Sequence, residues 1–122
     1  MPINQDSQGG THGGASTGLG GTTAAILVGF TNVKGEQGRK LTLRVAATGA
    51  FRLNLFFTPD GGTNYYIAKQ VTSAAVTVDG GTASYTSGAS LDEFLSSNYK
   101  VEIYNTTGGN IDYAFDFREY TP

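Results

Sequence analysis

The single histidine, His12, stands between Thr11 and Gly13. General-base chemistry needs an imidazole held in place by a second group. A stretch of glycine and small polar residues gives no such frame, so His12 reads as a solvated or interface residue. No Ser–His–Asp arrangement can be built around it. The chain has no cysteine, which excludes a thiol nucleophile, a zinc knuckle and a disulfide. Ten acidic residues remain as candidates for acid–base work. Glycosidic cleavage takes two carboxylates on opposite sides of a sugar. Asp112 and Asp116 fall on one face of a strand with Arg118, and Lys100 and Glu102 are expected on the neighbouring strand. Opposite charges facing each other across strands are ordinary sheet decoration, and that is the reading adopted.

Other oxygen- and glycine-rich stretches also have plainer explanations. Asp60-Gly61-Gly62-Thr63-Asn64 and Asp79-Gly80-Gly81-Thr82 resemble cation loops, but calcium takes six to eight oxygen ligands. Neither loop has that acidic density, and turn chemistry accounts for both. Gly18-Leu19-Gly20-Gly21 lacks the preceding strand and following helix that a phosphate loop requires. Asn105-Thr106-Thr107 matches a glycosylation sequon, yet these residue types also suit a hairpin tip. The expectation is therefore no catalytic residue, no metal and no cofactor. Tyr65, Tyr66, Tyr85, Tyr104 and Tyr120 are candidates for partial exposure, where tyrosine serves protein contacts or sugar stacking. The absence of tryptophan counts against the sugar.

The elements that would position these residues are strands. The 122 residues suffice for one domain and one modest core. Glycine is abundant, at 18 residues, and charged residues make up only 15%, well below the usual quarter or so. The net charge of −2 gives no basic field for nucleic acid. The opening Met1-Pro2-Ile3-Asn4-Gln5-Asp6 is not a secretory signal. The longest apolar run, Ala24 to Phe30, is too short to span a bilayer as a helix. A protein made in a cytoplasm, with no membrane partner, is expected.

Residues 5–23 hold seven glycines, and Leu19 is their only large apolar side chain. Such a segment cannot offset its own ordering entropy, so residues 1–23 read as an extended arm and residues 24–122 as the folded domain. Ala24 to Phe30 reads as a buried strand, followed by a polar loop over 32–38. Lys40 to Ala47 and Phe51 to Thr58 alternate with period two around Thr48-Gly49-Ala50, which predicts a hairpin. Phe56 is an apolar exception on the outward face of the second strand. Pro59-Asp60-Gly61-Gly62 predicts a turn into a return strand over 64–70. A weaker strand over 74–78 leads through Asp79-Gly80-Gly81 to 82–86. Ser90 to Leu95 carries a capping box, Ser90 with Glu93, and reads as about one helical turn. A last hairpin joins Tyr99-Val101-Ile103 to Ile111-Tyr113-Phe115-Phe117. About eight strands at this turn spacing predict an antiparallel β-sandwich, jelly-roll or immunoglobulin-like.

Two stretches resemble a known group. Phe57 to Tyr66, FTPDGGTNYY, is similar to a hairpin of small β-sandwich proteins from tailed bacteriophage particles. Asn98 to Tyr120, NYKVEIYNTTGGNIDYAFDFREY, resembles their closing hairpin. The resemblance covers about two-thirds of the chain and implies a virion component, most like a capsid decoration (cement) protein on the shell surface. It implies the major capsid protein as partner and a homo-oligomer, with a trimer the common form. A tail or fibre module binding a receptor or carbohydrate is the alternative, and an enzyme ranks last. In the decoration reading the arm is the contact element, through Ile3, Gly9, Gly10, His12, Gly13, Gly14, Leu19, Gly20 and Gly21, where glycine lets backbone follow a surface closely.

Overall fold

The computed structural model describes residues 12–30, 40–59, 63–75, 85–95 and 98–120. Among them there is no helix. The strands are β1 (His12–Leu19), β2 (Ala24–Phe30), β3 (Lys40–Ala47), β4 (Phe51–Thr58), β5 (Tyr66–Thr72), β6 (Ala74–Ala75), β7 (Ser87–Phe94), β8 (Asn98–Asn105) and β9 (Ile111–Tyr120). Two antiparallel sheets form, one in the order β1-β9-β3-β7-β6 and the other β2-β8-β4-β5. We call these the five-stranded and the four-stranded sheet. Setting aside the two-residue β6, strands that follow one another from β1 to β4 alternate between sheets, and β1 lies beside β9. This order is that of a jelly roll, which settles the choice the sequence left open between jelly-roll and immunoglobulin-like sandwiches.

The core is made by alternation. Leu41, Leu43, Val45 and Ala47 point inward from β3, Phe51, Leu53 and Leu55 from β4, and Tyr99, Val101 and Ile103 from β8. Ile111 and Tyr113 begin the inner row of β9, which continues into the partly buried Phe115 and Phe117. The rings of Phe115 and Phe117 stack with centroids 6.4 Å apart. A bulge on β2, at Leu27, lets two consecutive residues, Leu27 and Val28, both face the core.

Several expectations need correction. The segments 40–47 and 51–58 are not a hairpin, because β3 lies in the five-stranded sheet and β4 in the other. The same holds for β8 and β9. Both members of each pair direct an apolar row at one core from opposite sides, so alternation looks the same for a hairpin and for an arch between sheets. The arches are pinned to each other: Thr48 N donates to Asp112 O at 2.9 Å, and Thr106 N to Ala50 O at 3.4 Å. Lys100 and Glu102 accordingly do not neighbour Asp112 and Asp116, and β9 pairs with β1 and β3. Residues 90–94 are strand, not helix. Ser90 pairs with Arg44 and Leu91 with Leu43 along the full length of β3, and Leu91 and Leu95 are buried. Eight ladder pairs outweigh a local capping box.

The segment expected to be an arm through residue 23 includes β1, an edge strand paired with β9 from His12↔Phe117 to Leu19↔Ile111. The β4–β5 pairing is a hairpin, as expected. The loop over 32–38, the Asp60-Gly61-Gly62 turn, the Asp79-Gly80-Gly81 turn and the strand residues 76–78 and 82–84 lie outside the described residues.

Candidate functional site

Of the nine arm residues, Ile3, Gly9 and Gly10 lie outside the described residues. His12, Gly13 and Gly14 are backbone partners of Phe117, Asp116 and Phe115. Leu19 is half-buried against the core. Gly18 has a φ of 76°, a region glycine enters without penalty, and its N–H donates to Asp112 Oδ1 at 2.9 Å. Gly20 accepts from Thr23 at the β1–β2 turn. A Cβ on Gly21 would lie 2.7 Å from the carbonyl carbon of Gly108, so this glycine is needed where two loops touch. From Leu19 to Gly21 the residues serve the fold's own closure.

The carboxylates are dispersed. Asp112 ties β1 to β9, and Glu119, buried, accepts from the Tyr99 hydroxyl at 2.8 Å. On the outer face of the five-stranded sheet, Arg44 grips Asp92 with two bonds of 3.1 and 3.3 Å. Arg118 lies over the Tyr120 ring and Lys40 over Phe94. Burial would raise the Asp92 pKa, but hydrogen bonds from Arg44 and Thr42 and the charges of Arg44 and Lys40 together hold it below the usual carboxylate value. A folded-state pKa that is lowered contributes stability above the unfolded value of about 4 and loses it as pH falls through the folded value. Both side chains are about half exposed, at 57% and 45%, so the pair is worth less than about 1 kcal/mol. Asp92→Asn is expected to lower the urea midpoint slightly at pH 7, with the gap to the parent narrowing below about pH 4. A gap that widens in acid would refute this.

The outer face of the four-stranded sheet is more organised. Its side chains form rows across the strands, set by the register Arg52↔Tyr104, Asn54↔Glu102 and Phe56↔Lys100. Arg52 sits over the Tyr104 ring at 5.0 Å. In the middle row Asn54 accepts from Gln70 at 3.1 Å and from Arg52 at 3.3 Å, and donates to Glu102 at 3.4 Å. In the third row the Lys100 ammonium lies 5.1 Å from the centroid of Phe56 and 4.2 Å from that of Tyr65, whose rings meet edge to face. Cations over aromatic faces give an ordered surface with polar tips and apolar bodies.

No protein-family model matches the chain, and no curated protein matches it. Among solved structures it is similar to a chain from the Bacillus endospore appendages, which form disulfide-linked pili. The TM-score is 0.51 at 16% identity, over 98% of this chain and 91% of that one. At that identity the likeness speaks for the fold alone.

Among the described residues, the sheet with the organised face ends in β5 on one side and β2 on the other. Every residue of β5 except Val71 is exposed, with Tyr66 and Ile67 prominent. At the opposite edge Ile26 of β2 is exposed too. Among the described residues no strand lies outside either, and none of the described His, Asp and Glu residues form a group of three able to hold a metal. Of the five tyrosines singled out, Tyr65 and Tyr104 sit on the organised face, two rows apart. Tyr66 is on the β5 edge, Tyr85 precedes β7, and Tyr120 is on the opposite sheet. The sequence marked Phe56 as an outward apolar exception, and that was the visible trace of this surface. Its rows depend on β8 lying between β2 and β4, which no local pattern encodes.

Proposed function

We propose that this chain is a non-catalytic structural protein that packs onto an ordered protein surface, as a decoration protein of a phage capsid shell. In that role its partner is the major capsid protein and its place is the virion surface, where it acts as a homo-oligomer such as a trimer. The observation that carries the structural part of this reading is the four-stranded sheet, with its organised outer face and two exposed edges. Exposed strands give affinity through main-chain hydrogen bonds, and many weak copies on a symmetric shell add by multivalency. The capsid as the particular surface rests on the resemblance of FTPDGGTNYY and the last two strands to phage sandwich proteins. A second reading, a subunit of a pilus-like appendage, takes only its fold from the likeness to the endospore appendage chain. The absence of cysteine means that such a subunit would be joined without disulfides.

The test is sedimentation of purified protein with undecorated capsid shells, alongside electron microscopy of the protein alone. Saturable co-sedimentation supports decoration. Fibres from the protein alone without shell binding favour the appendage, and retention on a glycan array without either favours a receptor-binding fibre module.

A further inference from the structure

We infer that copies of this chain join head to tail through the four-stranded sheet, the β5 edge of one copy pairing with the β2 edge of the next. This deepens the structural reading above and rests on it.

Strand direction comes first. The four strands β2, β8, β4 and β5 alternate in direction throughout, so the two edges run opposite ways. A neighbouring copy in the same orientation therefore presents β2 antiparallel to β5, which continues the existing ladder. The five-stranded sheet cannot do this. Its edges β1 and β6 run the same way.

Edge chemistry is the second observation. Natural edges are guarded by charge, proline or shortness. The β2 sequence, AAILVGF, holds no charge and no proline. The β5 sequence, YIAKQVT, holds one charge, Lys69. That ammonium is 2.7 Å from Glu93 Oε2 on β7 of the other sheet, which engages it across the gap between sheets. Both strands are seven residues long.

The third observation is the matching of the two edges. Ile26 and Ile67 are each 56% exposed. Both belong to the outer face, Ile26 in the row of Glu102 and Asn54, Ile67 in the row of Phe56. Joined without stagger, Ile26 of one copy falls beside Gln70 of the other and diagonal to its Ile67, one row or about 7 Å along. Each edge strand carries one bulge, at Leu27 and at Ala68, within one residue of the same level. The two edges thus bend in step. Pairing β5 with itself would leave the β2 edge of both copies uncovered. A head-to-tail contact closes into a ring or runs on as a filament according to the rotation per copy, and a trimer is one such ring.

The experiment uses the full chain and the single substitutions Ile26→Lys and Ile67→Lys, with folding checked by circular dichroism and thermal melting. Both sites are exposed, so both variants should melt within a few degrees of the parent. Sedimentation velocity of the parent is expected to show mass rising with concentration to at least twice that of the monomer. Each variant alone should be monomeric at concentrations at least tenfold higher. Their mixture should give a one-to-one heterodimer and stop there, because each retains the edge the other lacks. A parent monomeric at about 100 µM overturns the inference, as does either variant continuing to dimerise alone or a mixture that forms no heterodimer. Shell binding by a monomeric parent sinks this inference and leaves the decoration reading intact. Heterodimers without shell binding do the reverse.

Discussion

A chain that begins at Thr23 is expected not to fold, whereas one that begins at His12 keeps every described strand and is expected to unfold cooperatively. The first deletion removes β1 and with it six registered residue pairs on β9. At about 1 kcal/mol net for each backbone hydrogen bond, that loss approaches the whole folding margin of roughly 5–15 kcal/mol. It also strips the neighbouring strand from the row Tyr113, Phe115 and Phe117. Leu19 no longer packs against the core, Asp112 loses the Gly18 N–H, and Asn105 loses its contacts to Leu19 and Thr22. The second deletion leaves every described strand in place. Circular dichroism with urea titration of the two chains separates the cases. A cooperative transition at the parental midpoint for the chain starting at Thr23 would mean that this segment is an arm after all.

Asn105→Ala is expected to cost about 2–4 kcal/mol, a large effect for a residue far from any chemistry. Asn105 is fully buried at the end of β8. Its Nδ2 donates to Leu19 O at 2.9 Å and to Gly109 O at 2.7 Å. Its Oδ1 accepts from the Thr107 backbone N–H at 2.8 Å and from the Thr107 hydroxyl at 2.7 Å. One side chain thus joins the end of β1, the end of β8 and the β8–β9 arch. Alanine removes these partners from the Leu19 carbonyl and the Thr107 N–H, while Gly109 O keeps the Thr107 hydroxyl at 2.9 Å. Asn105→Asp should cost at least as much, because a carboxylate would face the Leu19 and Gly109 carbonyl oxygens. Urea midpoints of both variants measure this, and a loss under 0.5 kcal/mol for each, on the order of a neutral surface change, would show that the hub is dispensable. The same burial removes the sequon reading of Asn105-Thr106-Thr107 for the folded chain, since the nitrogen to be modified is already committed.

The strands were largely legible because they bury one face each. Leu41-Leu43-Val45 and Tyr99-Val101-Ile103 announce themselves by period two, and Ala24–Phe30 by its unbroken apolar run. What stayed hidden was partnership. Thr48-Gly49-Ala50 can turn a chain back on its neighbour or carry it across a core, and the residues are the same in both cases. His12–Leu19 carries no strand signal in its side chains because its strand is made by backbone. Glycine, alanine and serine announce no face, and the register with β9 supplies what the side chains do not. Ser90–Leu95 reads as a helical turn because a capping box is a local signal, whereas its pairing with β3 is a non-local one. The cation–aromatic rows fail in the same way. Arg52 and Tyr104 are separated by half the chain, and only the sheet order brings them into contact.

The pairing of β1 with β9 also sets a tempo. The bond from Gly18 to Asp112 joins residues 94 positions apart, so closing the five-stranded sheet means closing a loop of nearly the whole domain. The entropic cost of such closure is met before its contacts repay it, and folds dominated by distant pairings form over milliseconds to seconds. The β4–β5 hairpin forms early by comparison, since short hairpins close in microseconds. During the interval the inner row of β9 lacks its outer strand, and a β1 segment from another molecule meets the same register as the chain's own. Refolding at high concentration should therefore yield strand-exchanged species, and slow dilution should suppress them.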